Sequence, residues 1–346
     1  MKKFFKLLPL VVVASLTACQ KYEYADLESL HLVLFGTPYI AAKMKIESGF
    51  NGDKSVSDII RILEKFDKYA DTKQRNETNV YTLNHTNEKT EISSELYHLL
   101  SRAKELQKEV SYFNPLVGSL SDKWKEALND IDNPQPLSDE IIQEELEKIN
   151  SSELILEEAE QKYYAQRVGE AQIDLGAITK GFVLDECLSY LGFHTGITED
   201  YLFNLGSSSI LLGKNSQRYK TNKGNNDVEG IYIVKVTDIA NKEYLKTYKS
   251  FISTSGISEQ GVKIGNQMYS HIINPITGSA INNYDQVTVI SNDDIGKGAL
   301  GDVLSTALMM STEEEIKEAE KNFAVKVIAI KDGNIVYKSE GLTLYS

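Results

Sequence analysis

Ile173-Asp174-Leu175-Gly176-Ala177-Ile178-Thr179-Lys180-Gly181 runs from the end of an apolar, strand-like stretch, through a glycine, into a helix that the pattern carries from Ile178 to Leu191. The first turn of a helix leaves backbone N–H groups unpaired, and Lys180 adds a cation beside them. The junction is therefore built like a cradle for an anion such as phosphate. It matches neither a Walker A loop nor the dinucleotide G-x-G-x-x-G pattern. Taken by itself, the segment is equally a strand-to-helix turn with Lys180 in solvent.

Upstream of the junction the pattern is mainly helical. Ser57 to Tyr69 carries Ile59, Ile60, Leu63 and Phe66 at helical spacing, with Ser57 or Asp58 to cap it. Ser93 to Val110 repeats the pattern, and Asp122 to Ile149 reads as two helices parted by Asn133-Pro134-Gln135-Pro136. Before them, Leu30 to Ile46 is rich in strand formers and predicts a hairpin with its turn near Phe50-Asn51-Gly52. Downstream, Leu154–Leu156, Lys162–Val168, Tyr201–Leu205 and Ile231–Thr237 alternate like strands, and residues 216–229 form a polar, Gly- and Asn-rich loop. The chain closes with a strand Gln286–Ser291, helices Gly298–Met310 and Thr312–Asn322, and strands Val325–Ile330 and Ile335–Lys338 joined by the hairpin signal Asp332-Gly333. No repeat or low-complexity tract marks a boundary. One large α+β unit is expected, with two lobes as the alternative.

The 346 residues include 37 Lys plus Arg against 50 Asp plus Glu, a net charge of −13. Such an acidic body repels phosphodiester backbones, which argues against a nucleic-acid partner. Lys2, Lys3 and Lys6 precede an apolar run from Leu7 to Val13 and then Leu16-Thr17-Ala18-Cys19. That run is too short to span a bilayer and reads as a signal peptide. Its end resembles a bacterial lipobox, so residues 1–18 are expected to be cleaved, Cys19 to carry lipid, residues 19–30 to form a tether and 31–346 the folded domain. Loss of the three leader lysines takes the net charge from −13 to −16. A lipid on Cys19 anchors the chain to a bacterial membrane, on the outer face of the cell membrane or facing the periplasm. Gln20 in place of Asp leans toward the outer membrane where there are two. Cys187 is then the one remaining thiol, and it reads as a small core residue.

Two further segments offer chemistry. On the helix Gly298–Met310, Asp302, Ser305 and Thr306 share one face and present three hard oxygens, the donor type that Mg²⁺ prefers. An Asp near a helix start is also a common dipole partner. Ser253-Thr254-Ser255-Gly256 and Ser270-His271-Ile272-Ile273-Asn274-Pro275-Ile276-Thr277-Gly278 set a histidine among small hydroxyls and turn formers, where it can serve as a general base or be a hydrogen-bonded structural residue.

In this order the segments resemble the ApbE family, the FAD:protein FMN transferases, which are commonly exported lipoproteins. Phe35-Gly36-Thr37 is similar to the family's Met-Gly-Thr, and Phe113-Asn114-Pro115-Leu116-Val117-Gly118 to its Phe-Asp-Pro-x-Val-Gly. Trp124, the Asp-Leu-Gly-x-x-x-Lys-Gly segment, Asn204-Leu205-Gly206, Thr254-Ser255-Gly256, the His271 segment and Asp302-x-x-x-Thr306 complete the match. The resemblance implies a T-fold-like ApbE architecture and transfer of FMN from FAD to a Thr or Ser hydroxyl of a separate exported protein, with release of AMP. It implies Mg²⁺ on the Ala177 carbonyl, Asp302 and Thr306, with Ser305 as helper. It also implies FAD contacts from Phe35, Tyr69, Trp124, Asp174, Lys180 and the Ile273 backbone, and His271 as the base. Departures are Phe35 for Met, Lys125-Glu126 for the Gly and aromatic after Trp124, Ser207 for a second Gly and Asn274 for Asp. The same residues leave two other readings open: an FAD pyrophosphatase in which water replaces the acceptor, and a lipoprotein that only binds flavin.

Overall fold

The computed structural model describes residues 22–29, 33–37, 39–130, 133–215, 232–235, 243–257 and 261–345. The signal peptide, Cys19 and the 216–229 loop lie outside the described residues. In chain order, β1 (Tyr22–Ser29) and β2 (Ile40–Glu47) precede α1 (Gly52–Ala70), α2 (Val80–Asn84), β3 (Thr90–Ile92), α3 (Ser94–Glu109), α4 (Gly118–Leu128) and α5 (Asp139–Ser151). Strands β4 (Glu153–Ala159) and β5 (Lys162–Val168) lead to α6 (Thr179–Phe193), β6 (Ile197–Leu205) and β7 (Ser209–Leu212). Then come β8 (Tyr232–Lys235), β9 (Tyr244–Thr247), β10 (Ser250–Gly256), β11 (Val262–Ile264), β12 (Gln267–Tyr269) and β13 (Gln286–Asn292). The last elements are α7 (Lys297–Ala307), α8 (Glu313–Phe323), β14 (Lys326–Lys331), β15 (Asn334–Lys338) and β16 (Leu344–Tyr345).

Eight strands form one sheet in the order β1-β2-β6-β7-β10-β13-β14-β15, antiparallel throughout. Alternate residues of a strand face opposite sides. Leu211, Phe251, Val289, Val327 and Ala329 thus join the main core under the helices. Leu212, Ile252, Ile290, Ile328 and Ile330 form a second core on the other face, beneath the small sheet β16-β9-β8. The main core runs from Ala25 to Ala329 without a break, which favours one unit over two lobes.

Helices α6 and α7 are buried along most of their length and carry no single apolar stripe, as helices enclosed by protein do. Cys187 is fully buried in α6, where burial pushes its thiol pKa up, as a core residue and not a nucleophile. The two helices touch backbone to backbone: a Cβ on Gly181 would stand 2.1 Å from the Gly298 carbonyl oxygen, and one on Gly298 would stand 2.3 Å from that of Gly181.

Three expectations are corrected. Residues 22–29 are not tether but the edge strand β1, paired with β2 from Tyr22↔Glu47 to Ser29↔Ile40. The exposed charges Glu23 and Asp26 are those of a sheet edge, so composition disguised the strand. The hairpin with a turn at Phe50-Asn51-Gly52 is absent. Its tight turn sits instead at Phe35-Gly36, between bridged Leu34 and Thr37, and β2 pairs with β1 and β6. Finally, α1 begins at Gly52 because Asn51 is its cap, accepting from Lys54 N at 2.9 Å.

Gly181→Ala and Gly298→Ala each force the two helix backbones apart. Each is expected to lower unfolding free energy by about 1–3 kcal/mol in a urea titration.

Candidate functional site

The approach of α6 to α7 decides where the polar residues meet. Neither helix has a side-chain cap of its own; the N-cap residues are Ile178 and Gly296. Each is capped by the other's carboxylate. Asp302 of α7 accepts from Gly181 N at 2.6 Å through Oδ2. Asp185 of α6 accepts from Gly296 N at 2.8 Å and Gly298 N at 3.0 Å through Oδ1, and from Ala299 N at 2.8 Å through Oδ2. The spacing is the same on both helices, Gly181-x-x-x-Asp185 and Gly298-x-x-x-Asp302. Asp302 thus serves the other helix's N-terminus and not its own.

This crossing opens onto a cavity of about 1160 Å³. Ala177, Asp302, Ser305 and Thr306 line it together, as do Asp174, Lys180, Phe35, His271 and Ile273. Asp302 is only 5% exposed, and its Oδ1 accepts from Ser209 Oγ at 2.8 Å. Burial pushes its pKa up, opposed by the Lys180 charge and by hydrogen bonds from Ser253, Ser209 and Gly181 N–H. A buried carboxyl so poised gains strongly from a cation beside it. Ser255 Oγ lies 2.9 Å from Ser305 Oγ and 3.0 Å from Thr306 Oγ1, while both α7 hydroxyls donate to the Asp302 carbonyl, at 2.9 and 3.2 Å. Lys180 Nζ donates to Ser208 Oγ. Asp174 Oδ1 accepts from Gly176 N at 2.7 Å, closing the turn that leads to Ala177.

The donors around Asp302 are all oxygen, and among the described residues no group of three His, Cys, Asp or Glu could hold a metal. One carboxylate with hydroxyl and carbonyl oxygens suits a hard cation such as Mg²⁺, which binds few protein ligands and keeps water or phosphate oxygens, and does not suit zinc.

Two expected flavin contacts lie elsewhere. Tyr69 is 5% exposed and packs edge-on against Phe66 at 5.9 Å inside the core; the helical period that buries Phe66 also turns Tyr69 inward. Trp124, 2% exposed, stands behind the cavity wall. Its Nε1 donates to Gly278 O at 2.8 Å and its ring stacks on Tyr269 at 5.8 Å, clamping the segment that carries His271. An indole that must satisfy its one donor while buried makes a strong clamp of this kind.

The departures have local explanations. Asn274 Oδ1 accepts from Ile276 N at 2.9 Å and Thr277 N at 3.1 Å, so an acceptor is all the turn uses. Phe35 sits at φ 53 in the Leu34–Thr37 turn, and its N–H donates to Asp67 Oδ1 at 2.6 Å. Thr37 of the same turn packs against Gly206, where a Cβ would come within 2.4 Å of its Oγ1. Ser207 takes φ 60, the left-handed region that a glycine adopts more easily. Asp185, Ser209 and Asp67 were not singled out in the sequence. The repeated Gly-x-x-x-Asp spacing was the available signal for the first.

These features define an antiparallel α+β protein with an oxygen-lined, cation-ready cleft at a helix crossing. The ApbE family model matches residues 35–329, and the chain belongs to the ApbE family. It is 27% identical over 286 residues to an FAD:protein FMN transferase of Klebsiella pneumoniae, covering 81% of each chain. Among solved structures, an ApbE protein of Thermotoga maritima superposes with a TM-score of 0.70 at 20% identity, over 92% of this chain and 97% of that one. The flavin transferase ApbE of Vibrio cholerae gives 0.68 at 24%, over 92% and 98%. The last two show a shared fold.

Burial pushes Asp185 up to about 7 from 3.8, against its three N–H donors and the Arg102 charge. The folded state then holds a proton that the unfolded chain releases near pH 4. The stability this group contributes is present below pH 4 and lost as pH rises through about 7. Asp185→Asn keeps one acceptor oxygen but leaves the Ala299 N–H facing an amide nitrogen, and is expected to lower stability by about 1–3 kcal/mol at neutral pH. It should also flatten the fall in stability between pH 4 and 7, read from urea titrations across that range.

Proposed function

We propose that the chain transfers FMN from FAD to a Thr or Ser hydroxyl of a separate exported protein, releasing AMP, in a reaction that requires Mg²⁺. The observation that carries this reading is the convergence of Asp302, Thr306, Ala177, Lys180 and His271 on one cavity, from segments spread over 130 residues of the chain. Asp302, Thr306 and the Ala177 carbonyl, with Ser305 beside them, would hold the cation, which when bound offsets charge on the diphosphate. Lys180 supplies a fixed positive charge to the phosphate oxygens, and the first turn of α6 orients it. His271 accepts the proton of the acceptor hydroxyl as it attacks phosphorus, and the P–O bond to the AMP phosphate breaks. Phe35, Asp174 and the Ile273 backbone contact the rest of the dinucleotide.

The acceptor's requirement for an exported partner fits the leader. Lys2, Lys3, Lys6 and the Leu16–Cys19 lipobox support export and a lipid anchor at Cys19, with the domain held at a membrane surface. No helix among the described residues is long and apolar enough to cross a membrane.

Purified chain with FAD, Mg²⁺ and envelope proteins of its host is expected to yield a fluorescent flavin adduct that survives denaturing electrophoresis. Lys180→Met and Asp302→Ala should each reduce its formation by about a hundredfold or more. FMN and AMP released rapidly with no adduct on any protein would identify a pyrophosphatase; tight FAD binding with neither product would identify a flavin-binding lipoprotein.

A further inference from the structure

Helix α4 brings a second lysine to the cavity. Two of its charged neighbours are engaged elsewhere: Asp122 pairs with Lys73 at 2.6 Å and Lys123 with Glu145 at 3.5 Å. Lys125 instead lines the cavity, one turn after Ser121, which also lines it. Its Nζ stands 3.9 Å from Asp174 Oδ2, close enough for charge attraction and too far for a hydrogen bond. The helix beneath it does not drift, because the adjacent Trp124 is buried and bonded to Gly278 O. Asp174 and Lys180 stand six positions apart in the same segment, so the two ammonium groups serve one turn from two different helices.

Charge accounts for the arrangement. The described residues that line the cavity include three lysines, Lys125, Lys180 and Lys235, and three aspartates, Asp174, Asp285 and Asp302. A dinucleotide brings two further negative charges in its diphosphate. In an acidic body, each lysine that reaches the ligand weighs heavily, and Lys180 is already shared with Ser208 and attracted to Asp302.

We infer that Lys125 binds the diphosphate portion of the dinucleotide directly, exchanging its loose pairing with Asp174 for charge-assisted hydrogen bonds to phosphate oxygen. This rests on the FAD reading of the cavity. In the competing arrangement Lys125 only steadies the Asp174 carboxylate, and the ligand never meets it.

The test is equilibrium binding of FAD, ADP and riboflavin to the full folded chain with Mg²⁺, at low and high salt, for the wild type, Lys125→Met and Lys125→Arg. Lys125→Met keeps the aliphatic stem and removes the charge. It is expected to weaken FAD and ADP about tenfold, to leave riboflavin unchanged, and to make FAD binding less sensitive to salt. Lys125→Arg should stay within about twofold of wild type. Unchanged FAD affinity in Lys125→Met, or equal losses for FAD and riboflavin, would overturn direct phosphate contact while leaving the transferase reading in place. A folded wild-type chain that binds no FAD would remove that reading and this inference with it.

Discussion

Two carboxylates exchanged between two helices hold the centre of this protein together. Asp302 takes the Gly181 N–H of α6, and Asp185 takes three N–H groups at the start of α7. A helix start buried without a cap leaves unpaired donors, each costing about 1–3 kcal/mol. Supplying the acceptors across the crossing removes that cost and fixes the register of one helix against the other. The glycines at 181 and 298 let the backbones come close enough for the exchange. Position follows from that register: Lys180 and Ala177 precede the crossing on one side, Ser305 and Thr306 follow it on the other, and all four face one cavity.

The rest of the fold supplies the walls. The eight-stranded sheet presents Ser209 to Asp302 from β7, and Ser255 to Ser305 and Thr306 from β10. Trp124 pins the His271 segment from behind, and Asp67 pins the turn at Phe35. The supports from Trp124 and Asp67 are side chains bonded to backbone groups on loops. That is how a rigid scaffold holds loop residues in a working arrangement.

Much of the site was legible because its residues sit in short local patterns, a strand running into a helix with a lysine or three oxygens on one helical face. The ordered motifs add the residues that the resemblance gives as FAD contacts, and of these Phe35, Asp174, Lys180 and Ile273 line the cavity. Contacts that depend on the three-dimensional crossing were not legible. Asp185 looks like any acid on a helix until α7 arrives beside it, and Asp302 reads as its own helix's dipole partner until Gly181 is seen to use it. Trp124 and Tyr69, which the resemblance offers as FAD contacts, are both buried and do not line the cavity, a placement that only the packing shows. In the fold, the amphipathic helices are legible from periodicity and the last hairpin from its Asp332-Gly333 pair. The edge strand β1 was missed because its alternating acids resemble a solvated tether, and main-chain pairing with β2, invisible in composition, makes it a strand.

The acidity of the chain gives these local features their weight. A body of negative charge can hold an anionic dinucleotide only where positive charge is concentrated, and the crossing of α6 and α7 brings Lys180 to the cavity. The most direct measurement is a crystal structure of the chain grown with FAD and Mn²⁺ in place of Mg²⁺, using anomalous scattering to locate the metal. The account predicts an anomalous peak within direct coordination distance of an Asp302 carboxylate oxygen, with Thr306 and the Ala177 carbonyl beside it and the diphosphate against Lys180. A metal peak away from Asp302, or FAD bound outside this cavity, would contradict it.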